Sequence, residues 1–568
     1  MYAGTERSVR DTHSPPAPHA ARAARVETVS LVLLLLLAVV ASSAITRMLP
    51  FAIPAPLVQI ALGGVIGVAS GARITLEPDL FFLLFLPPLL FLDGWRIPKD
   101  ELFRDWKIVL ELALGLVVAT VVGLGFLIHW MIPAMPLAVS FALAAVLSPT
   151  DPIAVSAIAA RVPVPKRMMH LLEGESLFND ASGLVLLRFA IAAAVTGSFS
   201  AGDAALAFLW SAGGGLAAGV LITAAVTWGT SKLEARIGEE PGALILVSLL
   251  IPFGAYSAAE HMGCSGILAA VGAGVTMTFA EFTQAALPTT RIRRNTVWDT
   301  IQFAGNGIIF VLLGEQFPAI LDSAQRSVHD AGHHSGLWLL AYVLVLTAAL
   351  AALRFAWVWA SMRMTILRRR EQRPFRSSNV RLISAMSFAG VKGAITLAGI
   401  LTLPFALADG TPFPARDLAI FLAAGVIFAS LLIASVALPW LLNGLEMPRD
   451  TRELAQEDAI RVDLAKVAIA AIEAERQLLD DGDAVEPVHD RIATRIADLY
   501  RERITVLDPE RGGAEAIGAA RRERIEKTFR LAAIHAQRTE LHRMARARQV
   551  SSDVLRRITR ELDLLEVR

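Results

Sequence analysis

The sequence predicts an all-α, polytopic membrane protein of about thirteen transmembrane helices followed by a polar helical tail, and three observations carry that prediction. The 568 residues are 55% hydrophobic and only 18% charged, too apolar for an ordinary water-soluble chain. Apolar runs recur between residues 28 and 443, each close to the roughly 20 residues that a helix needs to cross a hydrocarbon core about 30 Å thick. Charge is concentrated beyond them, because residues 446–568 hold 23 of the 53 Lys+Arg and 25 of the 52 Asp+Glu. The chain therefore divides into a polar leader (1–27), a transmembrane domain (28–445) and a cytoplasmic helical C-terminal domain (446–568). A net charge of +1 argues against a nucleic-acid partner, which needs a basic excess. The single cysteine, Cys264, permits no internal disulfide and no cysteine cage for zinc or iron–sulfur clusters.

In chain order, the spans lie near residues 28–46, 53–70, 79–95, 106–131, 135–160, 171–196, 205–230, 241–260, 263–281, 297–316, 336–362, 382–405 and 416–443. The eighth and ninth nearly touch. The first follows a long polar leader and has no small-residue cleavage site before Arg47, so it reads as a span and not as a cleaved signal peptide. Orientation follows from Lys and Arg in short loops. One set of alternate loops carries Arg47; Arg96, Lys99, Arg104 and Lys107; Arg161, Lys166 and Arg167; Lys232 and Arg236; Arg291, Arg293 and Arg294; and the run from Arg363 to Arg381. The other set carries only Arg73, Arg326 and Arg416. This puts the tail in the cytoplasm and the amino terminus outside, against the dissent of Arg7, Arg10, Arg22 and Arg25 in the leader.

Ionisable residues inside the spans are costly and mark ion or proton paths. In the fifth span, Leu147 to Pro152 reads L-S-P-T-D-P, so Asp151 stands between prolines that break the backbone ladder and leave carbonyls and the Thr150 hydroxyl free. It lies about ten residues from the 161–170 loop, or roughly 15 Å, half the core. Asp180, in L-E-G-E-S-L-F-N-D-A, lies at nearly the same depth in the sixth span. Glu175 and Asn179 share one helix face, and Ser176 and Asp180 the next, so their oxygens converge on one level suited to a hard cation. If these groups only paired with one another to hold helices together, two carboxylates would repel with no cation between them. In the twelfth span, G-V-K-G puts Lys392 about ten residues from position 382, at mid-bilayer between helix-weakening glycines. A snorkel of its ammonium to the cytoplasm is the other reading. The fifth and twelfth spans are seven apart, as expected for two inverted six-helix repeats (spans 1–6 and 8–13) with broken helices in corresponding places, the pattern of a secondary transporter. Arg188 and Arg354 also fall inside spans, without a partner legible from sequence.

These residues resemble the monovalent cation:proton antiporters of the sodium/proton exchanger type. The resemblance rests on T-D-P at 150–152, E-S-x-x-N-D at 175–180, L-P-P-L-L-F at 86–91 and S-G-I-L-A at 265–269, in order within residues 30–443. It implies a cation site at Asp180, with Thr150, Asp151, Glu175, Ser176 and Asn179 building or bracing it. The transported Na+, or Li+ or K+, would be held by Asp180, Glu175, Ser176 and Thr150, in exchange for H+ and with no cofactor. It further implies a homodimer in the inner cell membrane. Asn179 before Asp180 is similar to the electroneutral branch. One departure is Lys392, where the family usually has Arg; a buried Lys can lose its proton and Arg effectively cannot. The residues alone leave the ranking of Na+, Li+ and K+ open.

Two other classes are weighed. Gly263-Cys264-Ser265-Gly266 matches the G-x-S-G of intramembrane serine proteases, but no histidine sits on a suitable membrane helix, and close helix packing is the preferred role for Gly263 and Gly266. A cation channel would also use carboxylates at mid-bilayer, without the competition between proton and cation that makes an exchanger. No Walker A pattern supports ATP-driven pumping. In the tail, Ile460, Leu464, Val467, Ala471, Ala474 and Leu478 step by four and three in alternation, an amphipathic helix of unread function, and residues 514–568 read as further Arg-rich helix.

Overall fold

The computed structural model describes residues 18–48, 53–70, 78–97, 106–152, 155–156, 164, 166–196, 201–283, 288–330, 337–368, 377–407, 410–443, 451–480, 487–507, 514–547, 558–559 and 562. Residues 1–17 of the leader and the loops at 98–105, 157–163 and 369–376, which hold several of the basic residues used for orientation, lie outside them. The chain is all-helical and crosses the membrane many times. It separates into two compact units, Met1–Leu445 and Glu446–Arg568.

The first unit contains α1 (Pro18–Met48), α2 (Ala55–Ser70), α3 (Pro78–Arg96), α4 (Trp106–Met131), α5 (Leu137–Leu147), α6 (Lys166–Thr196), α7 (Ala201–Ile237) and α8 (Pro241–His261). It continues with α9 (Gly266–Thr283), α10 (Pro288–Asp330), α11 (Leu337–Arg368), α12 (Ser377–Phe388), α13 (Ala394–Leu401) and α14 (Arg416–Leu442). Seven of these, including α4, α8, α11 and α14, are each long and apolar enough to cross a membrane. Two differences from the sequence reading have simple causes. Helix α1 begins at Pro18, ten residues inside the expected leader, because HAARAARVE is rich in strong helix formers. The touching eighth and ninth spans are two helices, α8 and α9, divided by a turn in which Gly263 takes φ +69°, a left-handed conformation that favours glycine. Gly263 is therefore a turn residue and not the helix-packing residue expected of it. Ser265 accepts the Leu268 N–H at 3.3 Å as the cap of α9, a structural use of the serine in the G-x-S-G match.

Packing follows small residues. Between α2 and α10, a methyl on Gly63 or Gly314 would run into the carbonyl of Val311 or Ile60; between α3 and α9, one on Gly94 or Gly274 would run into that of Val271 or Phe91. Backbones at this distance maximise van der Waals contact where lipid supplies no hydrophobic drive between helices. Helix α5 packs on α4 and α6, while α14 collects α10, α11, α12 and α13.

The second unit consists of α15 (Thr451–Asp480), α16 (Pro487–Leu507) and α17 (Ala514–Arg546). Helix α15 packs on α16, and ion pairs tie them: Arg476 to Asp490 at 2.5 Å and Arg501 to Glu473 at 3.3 Å.

Candidate functional site

Two helix breaks meet at the centre of the first unit. Helix α5 stops at Leu147 because Pro149 lacks an N–H and Pro152 restricts Asp151 before it. Helix α12 stops at Phe388, and α13 resumes at Ala394 after Gly390 to Gly393. The two unwound stretches join directly, since the Asp151 N–H donates to the Val391 carbonyl at 2.8 Å. Lys392 donates its backbone N–H to Ser430 Oγ at 3.1 Å.

Charges complement the broken ends. The Lys392 ammonium is buried and donates to the carbonyls of Ser148 at 3.0 Å and Pro149 at 2.8 Å, just past the C-terminus of α5. The Asp151 carboxylate lies against Gly393, which precedes the first residue of α13; any side chain at 393 would occupy the space of that carboxylate. A cation therefore faces the negative end of one half-helix and an anion the positive end of the other, which is the favourable sign in each case.

Helix α6 brings Glu175, Ser176, Asn179 and Asp180 to this level, all buried. They divide into two groups. Glu175 is held by Arg354 of α11 through both carboxylate oxygens, with Nη2 to Oε2 at 2.6 Å, while Arg354 Nε donates to the Met386 carbonyl at 2.9 Å. Gly390 leaves room for that arginine, since a Cβ there would approach Arg354 Cδ to 2.7 Å. Thr150 Oγ1 accepts from Asn179 Nδ2 at 3.0 Å and donates to Glu175 Oε1 at 3.4 Å. The Asn179 Oδ1 is buried with no hydrogen-bond partner.

The other group lines a cavity of about 30 Å³: Asp93 of α3, Thr150 and Asp151 of the first break, Ser176 and Asp180 of α6, Asn306 of α10, and Thr396 of α13. A space of that size admits a water-sized body, and three carboxylates with hydroxyl and amide groups are the oxygen-rich lining that hard cations take. Of the expected site residues, Thr150, Asp151, Ser176 and Asp180 thus reach the cavity. Glu175, expected among the cation ligands, instead spends its oxygens on Arg354, and Asn179 stands behind Thr150. Lys392 faces backbone carbonyls and not the cytoplasm, so the snorkel reading does not describe it.

Sequence reasoning missed Asp93, Asn306 and Thr396. Asp93 carried a usable signal, a carboxylate within the third apolar span, but it stands near the span's end, close to Arg96, and was not singled out. The partners of the two intramembrane arginines were also missed: Arg354 takes Glu175, and Arg188 pairs with Glu260 of α8 at 2.9 Å.

A polytopic helical protein whose broken helices cross at a small, carboxylate-lined cavity belongs to the secondary transporters, not to the enzymes. Residues 32–444 match the family model described as sodium/hydrogen exchanger, transmembrane, and the chain belongs to that family. It is 41% identical over 530 residues to the uncharacterized Na(+)/H(+) exchanger YjcE of Escherichia coli, covering 92% of this chain and 96% of the relative. It is 46% identical over 404 residues to a sodium, potassium, lithium and rubidium/H(+) antiporter of Bacillus pumilus, covering 71% of this chain and 59% of the relative. The sodium proton antiporter MjNhaP1 from Methanocaldococcus jannaschii shares the fold, with a TM-score of 0.57 at 18% identity over 74% of this chain and 99% of that one. The chain is thus a monovalent cation/proton antiporter.

Proposed function

We propose that this antiporter exchanges cytoplasmic Na+ for external H+, electroneutrally and by alternating access, at the cavity where the two broken helices cross. The observation that carries the reading is that Asp93, Asp151 and Asp180 line one small cavity. A carboxylate group that accepts either a proton or a cation couples the two flows, because neither can be present while the other occupies it. Asp180 is the competing carboxylate; Thr150, Asp151, Ser176 and Asp93 supply further oxygens, while Glu175, Asn179 and Arg354 brace α6 against the break. Lys392 organises the site by neutralising the end of α5.

The architecture in this reading is two inverted six-helix repeats, with α5 and the α12–α13 pair in equivalent places. The glycine-mediated α2–α10 and α3–α9 contacts support it, because inversion of the repeats exchanges one pair for the other. Residues 28–445 form the exchanger domain and residues 446–568 a cytoplasmic domain, in a homodimer of the inner cell membrane with the amino terminus outside. Orientation rests on the basic loops.

In vesicles with an imposed proton gradient, sodium or lithium should dissipate the gradient; dissipation by potassium alone would overturn the sodium assignment. A K+/H+ exchanger is the second reading, favoured by the broad cation range in the name of the Bacillus relative. The same assay separates the two.

A further inference from the structure

Helix α15 is apolar on two opposite faces, and only one of them is covered. Val462, Ala465, Ile469 and Ile472 are on the sheltered side of the helix, which packs on α16, and Ala465 is buried. The other face carries Ile460, Leu464, Val467, Ala471 and Ala474, all exposed, with Leu464 at 63% and Val467 at 66%. An amphipathic helix buries one apolar stripe; a second, exposed stripe on the opposite side is the kind of apolar surface that marks an interaction site.

We propose that this second stripe is the seam of a parallel coiled coil between α15 and α15 of a second copy of the chain. Spacing is the first argument. The stripe steps by four and three, which makes Ile460, Val467 and Ala474 d positions and Leu464 and Ala471 a positions of a heptad, the narrow seam of two helices wound together. Charge is the second. Residues 451–480 hold four basic and seven acidic side chains, the wrong sign for lying on an anionic membrane surface. Across a parallel seam, Asp463 would face Ala468 and Glu475 would face Ala470, so no like charges oppose one another. Topology is the third: each α15 follows α14 closely in sequence, so two copies inserted alike in one membrane carry their stripes on the same side of it. A twofold axis then sets each a or d residue against its own counterpart.

That self-pairing makes single cysteines a direct probe. In the full-length protein in native membranes, with Cys264 replaced by serine, single cysteines would be introduced at Leu464, Val467, Ala471 or Ala474. Mild oxidation should link two chains at each, several-fold more strongly than with Lys466→Cys or Glu473→Cys on the flank. Adding Ile460→Glu and Leu464→Glu to the Ala471→Cys chain should remove its cross-link while the protein stays in the membrane at its usual amount. Cross-linking without heptad periodicity, none at any stripe position, or a maximum at Ile496→Cys on α16 would overturn the proposal. The readout is independent of transport, so it stands or falls apart from the ion assignment.

Discussion

The ammonium of Lys392 donates to the carbonyl oxygen of Pro149 at 2.8 Å, tying one broken helix to the end of the other. A second bond, to Ser148, makes this a charge-assisted cap of α5. Such a role needs a permanent positive charge and no proton release. Lys392→Arg should therefore keep exchange, and Lys392→Ala should lose most of it, with about 1.5–3 kcal/mol of stability lost per charged hydrogen bond. Membrane potential driven by a sodium gradient should be absent in both the wild type and Lys392→Arg. A potential in the wild type that disappears with arginine would make Lys392 a proton carrier.

The Glu175–Arg354 pair is buried on both sides, and breaking such a pair strands a charge away from water. Glu175→Gln or Arg354→Met alone should destabilise the solubilised protein by about 3–5 kcal/mol. The double variant strands no charge, so its loss should be clearly smaller than the sum of the two, read from thermal unfolding of all four proteins. Additive losses would mean that the two side chains do not act as a pair.

Gly393 has no room for a side chain, because the Asp151 carboxylate fills the space where a Cβ would stand. Gly393→Ala should push that carboxylate from the cavity and cut exchange by at least about tenfold, equivalent to about 1.4 kcal/mol, without removing a charged group. An alanine variant with unchanged initial rates would separate Asp151 from the transport site.

Competition at a shared carboxylate predicts a pH dependence of definite sign. Protons on the sodium-loading side occupy Asp180 and exclude the cation, so lowering pH there should raise KM for sodium while the rate at saturating sodium holds. Initial rates measured across sodium concentrations at several pH values test this. A fall in maximal rate with constant KM would place proton and cation at separate groups.

Much of the site was legible because membrane spans make polar residues conspicuous. Thr150, Asp151, Ser176 and Asp180 stood out from apolar runs, and the prolines and glycines beside Asp151 and Lys392 announced the breaks. What stayed hidden was pairing across the fold. Arg354 and Glu175 are 179 positions apart, and nothing in periodicity links them. The acceptors of Lys392 are backbone carbonyls, which have no signature in sequence. Asp93 was obscured by its place near the end of α3, where depth counted from one loop says little about what the helix leans against. Helix ends were also hard to read: α10 runs for 43 residues, well beyond the apolar stretch at 297–316, because its polar ends remain compatible with helix.

The central claim is that one buried carboxylate, Asp180, accepts either a proton or a cation. Asp180→Asn keeps the shape of the side chain and removes its charge. In vesicles carrying an imposed proton gradient and equal amounts of inserted protein, added sodium should collapse the gradient with the wild type and leave it intact with Asp180→Asn. Collapse at the wild-type rate in the asparagine variant would contradict the account and move the exchange to another of the buried carboxylates.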